Sequence, residues 1–429
     1  MSTTLAESGS GPDYPAVLDL YRRHLSRGRA TISEVFGTQL EVAARGAWIE
    51  TSDGGRYLNA GGYGVFIHGA RHPHVEAAVI RQIQANPLAS RVLLDPEAAR
   101  AARAVARVSP DGLEHVHFAC SGTEATEAAL KLARTLGRNR LVSTVGGYHG
   151  KTFGSLSVTG NTLYQDPFRP LLPDAGYVPF GDAEALSAQL RTGPPACVVL
   201  EPIQGEGGVR IPPEGYLRDV RALCDEHGAL LVLDEIQTGL GRLGLWWGAD
   251  REGVTPDIML VGKGLSGGIV PVSAMVATPE VFRAFNRDPF IHTSTFSGAP
   301  IAMAAARAAV EAIEQDGLVG KAAAIGDTLL TRMREIVGNR CPHLVTEVRG
   351  AGLLIGVELA GPGLAGALIA ELVEKHLIVN YSLNASSVLR FTPPAVMSES
   401  DIDFLLSVFD DACAALSARH PTVDTVGAS

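Results

Sequence analysis

The residues best suited to covalent and acid–base chemistry stand where apolar runs of the sequence end. Lys263 is flanked by glycines in VGKGLSGG, and Asp234 closes the run LLVLD. Partial burial and nearby positive charge would lower the pKa of such a lysine towards neutrality, as Schiff-base chemistry requires. An unpaired carboxylate is costly to bury, so Asp234 should face a cation. A solvated loop lysine and a salt bridge from Asp234 to an arginine are the ordinary alternatives.

A third candidate is the predicted start of a helix at Gly122. The segment SGTE (residues 121–124) precedes apolar residues at helical spacing, namely Ala125, Ala128, Ala129, Leu132 and Leu136. The free N–H groups and the positive dipole end of a helix start suit a phosphate, and Gly122 would let the anion approach closely. A capping box formed by Ser121 and Glu124 would explain the same residues without a ligand.

Together these features meet the demands of one cofactor. Pyridoxal 5'-phosphate (PLP) needs an amine for its aldehyde, a carboxylate for its pyridine nitrogen, an anion site for its phosphate and a surface against its ring. Lys263 and Asp234 are the candidates for the first two, and they are also the predicted catalytic residues. Gly122 and Thr123 are the candidates for the third. The sequence therefore predicts a PLP enzyme in which Lys263 holds the cofactor as a Schiff base.

The elements that must position these residues belong to an α/β fold. From about residue 65 to 310, short β-branched runs alternate with helical patterns, which indicates a mostly parallel sheet flanked by helices. In open sheets of this kind, ligands bind beyond the carboxyl ends of the strands. The strand candidates are Leu141 to Val145, Cys197 to Glu201, Leu230 to Asp234, Ile258 to Val261 and Val272 to Val276.

The rest of the chain predicts a smaller α+β domain. An Ala-rich helix near residues 300–315 is followed by a helix, strands around 345–358, another helix and a strand at 387–391. Short strands at 40–42 and 47–50 should join this smaller domain. The predicted division is a disordered tail (1–12), an N-terminal segment (13–64), a large PLP-binding domain (65–312), a small domain (313–419) and a second disordered tail (420–429).

Composition narrows the class of partner. The formal net charge of -10 comes without clusters of Lys and Arg, which argues against nucleic-acid binding. The five cysteines are scattered and form no CxxC pair, as is typical of a reducing compartment. No secretory signal is evident, and no apolar stretch approaches the roughly 20 residues that span a bilayer. We therefore expect a cytoplasmic protein with small-molecule substrates and no membrane or nucleic-acid partner.

Three motif matches are rejected on context. Gly239, Gly241 and Gly244 spell GxGxxG but do not follow a strand directly and open no helix, as a dinucleotide site requires. The run GKT at 150–152 lacks the glycine that a P-loop needs five positions earlier, where Val145 stands. The HPH segment at 72–74 has no acidic or Cys cluster at metal-ligand spacing, so no metal site is expected.

Seven segments, in order, resemble the class III aminotransferases among the fold type I PLP enzymes. They cover about residues 35 to 410 and read SGTEATEAALKLAR, GGYHGKTFG, EPIQGEGGV, LVLDEIQTGLGR, VGKGLSGG, HTSTFSG and LRFTPP. The HGK form, together with FGSLSVTG, PFRPLLP, VPFG and GGYGVF, looks most like the putrescine and other diamine aminotransferases. Two segments depart from the family pattern, since GARHP stands where GHxHP is usual and FSGAP replaces FGGNP.

The resemblance implies roles for the cofactor residues. Lys263 would form the Schiff base, Asp234 would pair with the ring nitrogen, and Gly122 with Thr123 would bind the phosphate. Thr295 would reach the phosphate in the neighbouring subunit, which makes a homodimer the minimal active unit. The remaining cofactor-binding residues would be Tyr148 and Ile236 against the two ring faces, Gln237 near the ring hydroxyl, Ser121 and His149.

The resemblance also implies how substrates bind. Arg390 resembles the arginine that binds a carboxylate of glutamate or 2-oxoglutarate, and Glu206 resembles the glutamate that neutralises it when the substrate end is uncharged. An ion pair joining two domains is the structural alternative for these two residues. Lys151 replaces an arginine of many relatives, and because it lacks a bidentate fork it should bind a second carboxylate poorly.

The sequence thus favours a ping-pong aminotransferase acting through Lys263. The preferred donor would be a primary amine without a nearby carboxylate, such as a diamine. The acceptor would be a 2-oxo acid, with 2-oxoglutarate expected because Arg390 would bind its carboxylate. A racemase, an epimerase or another PLP enzyme of the same fold is one alternative. A biosynthetic aminotransferase for a specialised aldehyde or ketone is a second, and a catalytically silent PLP-binding regulator is a third.

Overall fold

The computed structural model describes residues 13–37 and 39–421. The predicted tail at 1–12, and the predicted tail at 420–429 from residue 422 onward, lie outside the described residues. In chain order the strands are β1 (Glu41–Arg45), β2 (Trp48–Thr51), β3 (Arg56–Asn59), β4 (His115–Ala119), β5 (Arg140–Thr144), β6 (Ala175–Val178), β7 (Ala196–Leu200), β8 (Leu230–Asp234), β9 (Ile258–Val261), β10 (Ser273–Ala277), β11 (Val345–Ala351), β12 (Leu354–Leu359), β13 (Leu377–Ile378), β14 (Asn380–Ser382) and β15 (Ala385–Phe391).

Helices separate most of these strands. In chain order they are α1 (Tyr14–Leu20), α2 (Arg27–Phe36), α3 (Pro73–Ala85), α4 (Pro96–Val108), α5 (Gly122–Thr135), α6 (Phe153–Leu156), α7 (Thr162–Gln165), α8 (Ala183–Leu190), α9 (Tyr216–Glu226), α10 (Arg283–Arg287), α11 (Pro300–Gln315), α12 (Leu318–Arg340), α13 (Pro362–Glu374) and α14 (Glu399–Arg419). A π-helical turn (Tyr21–Leu25) and short 3-10 segments complete the helical structure, the latter at Gly62–Gly64, Asp166–Phe168, Gly248–Arg251 and Lys263–Ser266.

The large sheet has the strand order β4-β10-β9-β8-β7-β5-β6. Strands β9, β8, β7, β5 and β6 pair in parallel, whereas β10 runs antiparallel to both β9 and β4. Strands β7, β8 and β9 are buried at every position, which is why their sequences are apolar throughout. The predicted α/β fold is therefore confirmed. The strands Leu230–Asp234 and Ile258–Val261 match the prediction, and the other three are each displaced by one residue.

A smaller antiparallel sheet follows in the C-terminal part of the chain. Its order is β11-β12-β15-β14, and the helices α12, α13 and α14 pack around it. Phe391 of β15 meets Phe409 of α14 edge to face, with ring centroids 5.7 Å apart. This sheet is the predicted smaller domain.

The N-terminal strands form a third sheet with a strand from the C-terminal part. Its order is β1-β2-β3-β13, and β13 pairs in parallel with β3, placing Leu377 opposite Leu58. That the segment 13–64 belongs to the smaller domain stays a prediction. The division points at 64 and 312 stay a prediction. Among the described residues, no helix is both long and apolar enough to cross a membrane.

A buried arginine joins three distant segments beneath the site described below. Arg242 donates hydrogen bonds to the carbonyls of Leu353 (3.2 Å), Pro393 (2.6 Å) and Gly64 (3.3 Å). Burial and the charge of Arg390 lower the pKa of Arg242 to about 9. Because these carbonyls belong to the N-terminal segment, the β11–β12 turn and the chain after β15, Arg242 fixes the smaller sheets against the large one.

Candidate active site

A cavity of about 460 Å³ lies at the carboxyl edge of the large sheet. Its position follows the rule for open α/β sheets, in which ligands bind beyond the carboxyl ends of the strands. It is lined by Tyr63, Gly122, Thr123, Tyr148, His149, Gly150, Lys151, Glu201, Glu206, Asp234, Ile236, Gln237, Lys263 and Leu383. Ten of the predicted site residues are in this lining, although they are spread over 142 positions of the chain from Gly122 to Lys263.

Lys263 begins the 3-10 segment that follows β9. Its backbone has φ = 43°, a left-handed conformation that is uncommon for a residue other than glycine. Its Nζ donates a hydrogen bond to Oε1 of Gln237 at 3.2 Å. Burial lowers the pKa of Lys263, and the charge of Arg390 acts in the same direction, while Glu206 and Asp234 oppose it. The amine is therefore easier to deprotonate than a solvated lysine.

Asp234 ends β8 and is 4% exposed. Its Oδ2 lies 2.7 Å from Nδ1 of His149, and its Oδ1 accepts the backbone N–H of Ile236 at 3.1 Å. The ionisable partner in the protein is thus a histidine rather than the arginine of the ordinary alternative. Burial by itself lowers the pKa of His149, but the hydrogen bond and charge of Asp234 raise it overall. Asp234 therefore favours a protonated His149.

The helix α5 starts at Gly122, where the sequence predicts it. Ser121 is its N-cap, accepting the N–H of Glu124 at 3.4 Å, so the capping interaction is present. A Cβ added at Gly122 would lie 2.7 Å from Cδ1 of Ile236, so the Ile236 side chain would have to shift to accommodate any larger residue here. The hydroxyl of Thr123 is within 2.6 Å of the Ser155 hydroxyl. The first turn leaves backbone N–H groups that the helix itself cannot satisfy.

Glu206 lines the cavity and contacts Arg390, which is not itself part of the lining. Arg390, in β15, is 1% exposed, and its Nη1 lies 2.5 Å from Oε1 of Glu206. The contact is off the hydrogen-bonding direction, and Nε and Nη1 of Arg390 have no hydrogen-bond partner in the described chain. The other oxygen of Glu206 accepts the N–H of Leu383 at 2.9 Å. The pair therefore joins the loop after β7 to the smaller domain and also faces the cavity through Glu206.

The remaining predicted residues lie at the margin of the cavity or beyond it. The Lys151 amine lies 3.9 Å from the ring centroid of Tyr164 and 5.9 Å from that of Tyr148. Ser121 lies beneath the start of α5, where its carbonyl accepts the hydroxyl of Ser273. Thr295 is exposed on a loop and does not line the cavity. Its contact with the phosphate site of a neighbouring subunit stays a prediction.

Four lining residues have no predicted role, namely Tyr63, Gly150, Glu201 and Leu383. Glu201 is buried and accepts the N–H groups of Tyr148 and Gly205, each at 3.1 Å. Burial, with the nearby charge of Asp234, raises its pKa to about 7. The signal that identifies Asp234, a carboxylate where an apolar run ends, also applies to Glu201. Tyr63 and Leu383 have no comparable signal, because loops far apart in the chain bring them to the cavity.

The rejected motifs occupy places that agree with their rejection. Gly239, Gly241 and Gly244 lie in turns between β8 and the 3-10 segment Gly248–Arg251, and Trp247 packs against Gly239. Gly150, with φ = 121°, leads into the four-residue helix α6. Neither glycine-rich run opens a long helix as the nucleotide-binding motifs require.

Comparison with known proteins agrees with the geometry of this cavity. The family model "Aminotransferase class-III" matches residues 36–413. The ornithine aminotransferase of Toxoplasma gondii superposes with a TM-score of 0.88 at 28% identity, covering 95% of this chain and 96% of that one. A second structure of that enzyme has PLP at partial occupancy in its active site.

Two transaminases give comparable agreement. A transaminase from the marine bacterium Virgibacillus has a TM-score of 0.87 at 25% identity, over 94% of this chain and 100% of that one. An (S)-enantioselective omega-transaminase from Thermomicrobium roseum has a TM-score of 0.86 at 27% identity, over 94% and 98% of the two chains. Because the family model covers most of the chain, this protein belongs to the class III aminotransferases, which are PLP-dependent enzymes.

Proposed function

We propose that this aminotransferase moves the amino group of a primary amine, such as a diamine, to 2-oxoglutarate in two alternating half-reactions. The observation that carries the proposal is the contact of the buried Arg390 with Glu206, which lines the same cavity as Lys263. A paired arginine of this kind can bind a carboxylate in one half-reaction and be neutralised by the protein in the other.

The residues of the cavity fit PLP. Within the described chain, Nε2 of His149 and Nε2 of Gln237 are buried polar atoms without a hydrogen-bond partner, as expected where a polar ligand belongs. Gly122 and Thr123 at the start of α5 would hold the phosphate. Lys263, Asp234 and Gln237 would hold the aldehyde carbon, the ring nitrogen and the ring hydroxyl, with Tyr148 and Ile236 on the ring faces. When bound, the cofactor supplies a carbonyl for the amine and a ring that withdraws electrons.

Lys263 would perform the proton transfers. Burial lowers the pKa of Lys263 and so makes its amine easier to deprotonate, and an unprotonated Nζ can accept a proton from the substrate carbon and return it elsewhere. Gln237, at 3.2 Å, restricts where this amine points. Asp234 would hold a proton on the ring nitrogen, and its hydrogen bond to His149 keeps the carboxylate oriented.

Glu206 and Arg390 would decide which substrate end is accepted. With an uncharged end in the cavity, Glu206 stays beside Arg390 and neutralises it. With a dicarboxylate, Glu206 must turn away so that Arg390 can bind the carboxylate through its planar guanidinium.

Lys151 supports an amine donor without a second carboxylate. Its amine lies over the Tyr164 ring, so its positive charge already has a cation–π partner within the protein. A lysine also offers a single point charge where an arginine would offer a two-pronged donor. The donor end that reaches this side of the cavity should therefore carry no acidic group.

A homodimer in the cytoplasm would complete the site. Val92, Leu93 and Leu94 are almost fully exposed, and their segment is fixed to the loop of Thr295 by Arg91, which donates to the Thr295 carbonyl at 2.9 Å. Exposed apolar side chains grouped in this way suit an interface with a second copy, and Thr295 would then reach the partner's phosphate site. The five cysteines are free thiols, which fits a reducing compartment.

The test is a comparison of kcat/KM for putrescine, cadaverine, ornithine, acetylornithine and 4-aminobutyrate with 2-oxoglutarate as acceptor. We expect the two diamines to lead. Lys151→Arg should shift preference towards acetylornithine and 4-aminobutyrate, because it introduces a bidentate carboxylate donor. Arg169→Lys, on the surface and bonded to Asp166, is the matched control and should leave the order unchanged. If acetylornithine or 4-aminobutyrate led in the unmodified enzyme, the substrate assignment would be wrong.

A further inference from the structure

A two-residue turn of the smaller domain donates two backbone hydrogen bonds to Glu206. The turn consists of Leu383 and Asn384, between β14 and β15. The N–H of Leu383 donates to Oε2 of Glu206, and the N–H of Asn384 donates to the Glu206 backbone carbonyl, both at 2.9 Å. One turn therefore fixes both the side chain and the backbone of this glutamate.

The hairpin that carries this turn also carries Arg390. Ser382 pairs with Ala385 at the turn, but the next pair is Tyr381 with Leu389. The three residues 386–388 of β15 thus have no counterpart in β14, and this bulge brings Leu389 and Arg390 closer to the turn. Arg390 follows directly, opposite Asn380. Without the bulge, the turn and Arg390 would be too far apart along an extended strand to contact the same carboxylate.

Asn384 anchors the turn to the large domain. Its Nδ2 donates to the carbonyl of Gly146 at 2.9 Å, and its Oδ1 accepts Nδ2 of Asn161 at 2.9 Å. The Tyr164 hydroxyl donates to the carbonyl of Leu383 at 3.0 Å. Because these partners belong to the large domain, the Leu383 N–H cannot follow Glu206 if that side chain moves.

We propose that Asn384 is a positioning residue that sets how readily the enzyme changes between its two substrates. The inference rests on the proposed exchange of Glu206 for a substrate carboxylate. When Glu206 leaves Arg390, it must also give up the Leu383 N–H. The anchored turn therefore favours the state that accepts an uncharged amine and opposes the state that binds the dicarboxylate. Loosening the turn should shift this balance towards the dicarboxylate.

The experiment measures each half-reaction separately. Putrescine is mixed with the PLP-loaded enzyme, and 2-oxoglutarate is mixed with enzyme whose cofactor already carries the amino group (the pyridoxamine 5'-phosphate form). In Asn384→Ala the apparent dissociation constant for 2-oxoglutarate should fall, because Glu206 is easier to displace. The constant for putrescine should rise, because Arg390 is less well neutralised. A hydrogen bond to a charged group predicts a change in the ratio of the two constants on the order of tenfold.

Two further variants separate positioning from general damage. Tyr164→Phe keeps the ring beneath Lys151 but removes the bond to Leu383, so it should change both constants in the same directions and by less. Asn380→Ala is the matched control in the same hairpin, since its side chain forms no hydrogen bond within the described chain. Its ratio should equal that of the unmodified enzyme.

A double-mutant cycle with Glu206→Ala ties the effect to Glu206. In that background Asn384→Ala should no longer change the ratio. The inference is overturned if Asn384→Ala and Tyr164→Phe both leave the ratio unchanged or weaken the two substrates equally. Failure of the proposed function looks different, because Glu206→Ala would then itself leave the ratio unchanged.

Discussion

The two ends of the cavity are built in different ways. At the end proposed to hold the cofactor (the cofactor end), Lys263 follows β9, and Asp234 is the last residue of the adjacent parallel strand β8. At the substrate end, Glu206 follows β7 of the large sheet, whereas Arg390 lies in β15 of the smaller one. The first arrangement depends on the register of neighbouring strands, and the second depends on two domains meeting correctly.

This difference indicates at which end of the cavity a substitution can change substrate preference without abolishing activity. A rearrangement of the cofactor end requires that buried strands change, and these are close-packed on both faces. The substrate end is joined by side-chain contacts and by the Leu383–Asn384 turn, which can be altered without disturbing the large sheet. We therefore expect substitutions at the cofactor end to abolish turnover and those at the substrate end to alter preference.

The largest expected effect is at the cofactor end. Lys263→Ala should lower transamination at least roughly 10³-fold, because it removes both the covalent attachment and the proton carrier. Borohydride reduction followed by peptide mass spectrometry should locate the cofactor on Lys263 in the unmodified enzyme and on no lysine in the variant. Lys321→Ala, an exposed lysine, is the matched control. An active Lys263→Ala enzyme would remove the basis for the assignment.

A smaller but still severe effect is expected at the second cofactor residue. Asp234→Asn should keep part of the cofactor and lose roughly 10²- to 10³-fold in turnover, as for other losses of an oriented electrostatic partner. The amide cannot stabilise a protonated ring nitrogen, and it also removes the charge that favours a protonated His149. Steady-state rates and the cofactor absorbance measure the two effects. Unchanged turnover would show that Asp234 is structural.

At the substrate end the effect should be selective. Arg390→Ala should raise KM for 2-oxoglutarate roughly 10- to 100-fold, the scale of hydrogen bonds to charged groups, and change KM for putrescine much less. Arg210→Ala removes an exposed arginine paired with Glu358 and serves as the control. Equal losses for both substrates would mean that Arg390 only joins the two domains, and the contrast between the ends would then disappear.

The sequence predicts the cofactor end better than the substrate end, for a physical reason. A polar residue at the end of an apolar run must emerge at a sheet edge, so the positions of Lys263 and Asp234 follow from local pattern. The pairing of His149 with Asp234 does not follow from pattern, because the two residues are 85 positions apart in the chain. The contact of Glu206 with Arg390 spans still more of the chain, and only the family resemblance suggests it.

The Leu383–Asn384 turn shows the limit most clearly. Nothing in the letters SLNAS (residues 382–386) indicates that a turn there touches Glu206. The contact depends on a bulge in β15 and on how the smaller sheet docks, and both are decided by tertiary packing. Glu201, by contrast, could be predicted by the argument that identifies Asp234.

The smallest expected effect is on the pH dependence of stability, and it comes from Glu201, which contacts residues at both ends of the cavity. Burial raises the pKa of its carboxyl from the ordinary value of 4.5 to about 7. Between these values the folded protein binds a proton that the unfolded chain has released, so this group makes the fold less stable as the pH rises through that window. The upper bound is about 3 kcal/mol, from roughly 1.4 kcal/mol per pKa unit. Glu201→Gln removes this dependence.

We therefore expect the melting temperature of Glu201→Gln, relative to that of the unmodified protein, to rise between pH 5 and pH 8. Glu235 is a matched control, because burial also raises its pKa to about 7. Its carboxylate oxygens accept the N–H groups of Gly248 and Ala249, which lie outside the cavity lining. Glu235→Gln should give a similar pH trend. Only Glu201→Gln should also weaken both substrates, because its two oxygens hold Tyr148 at the cofactor end and Gly205 beside Glu206. Parallel melting curves for all three proteins would show that Glu201 is ionised in the fold at pH 5.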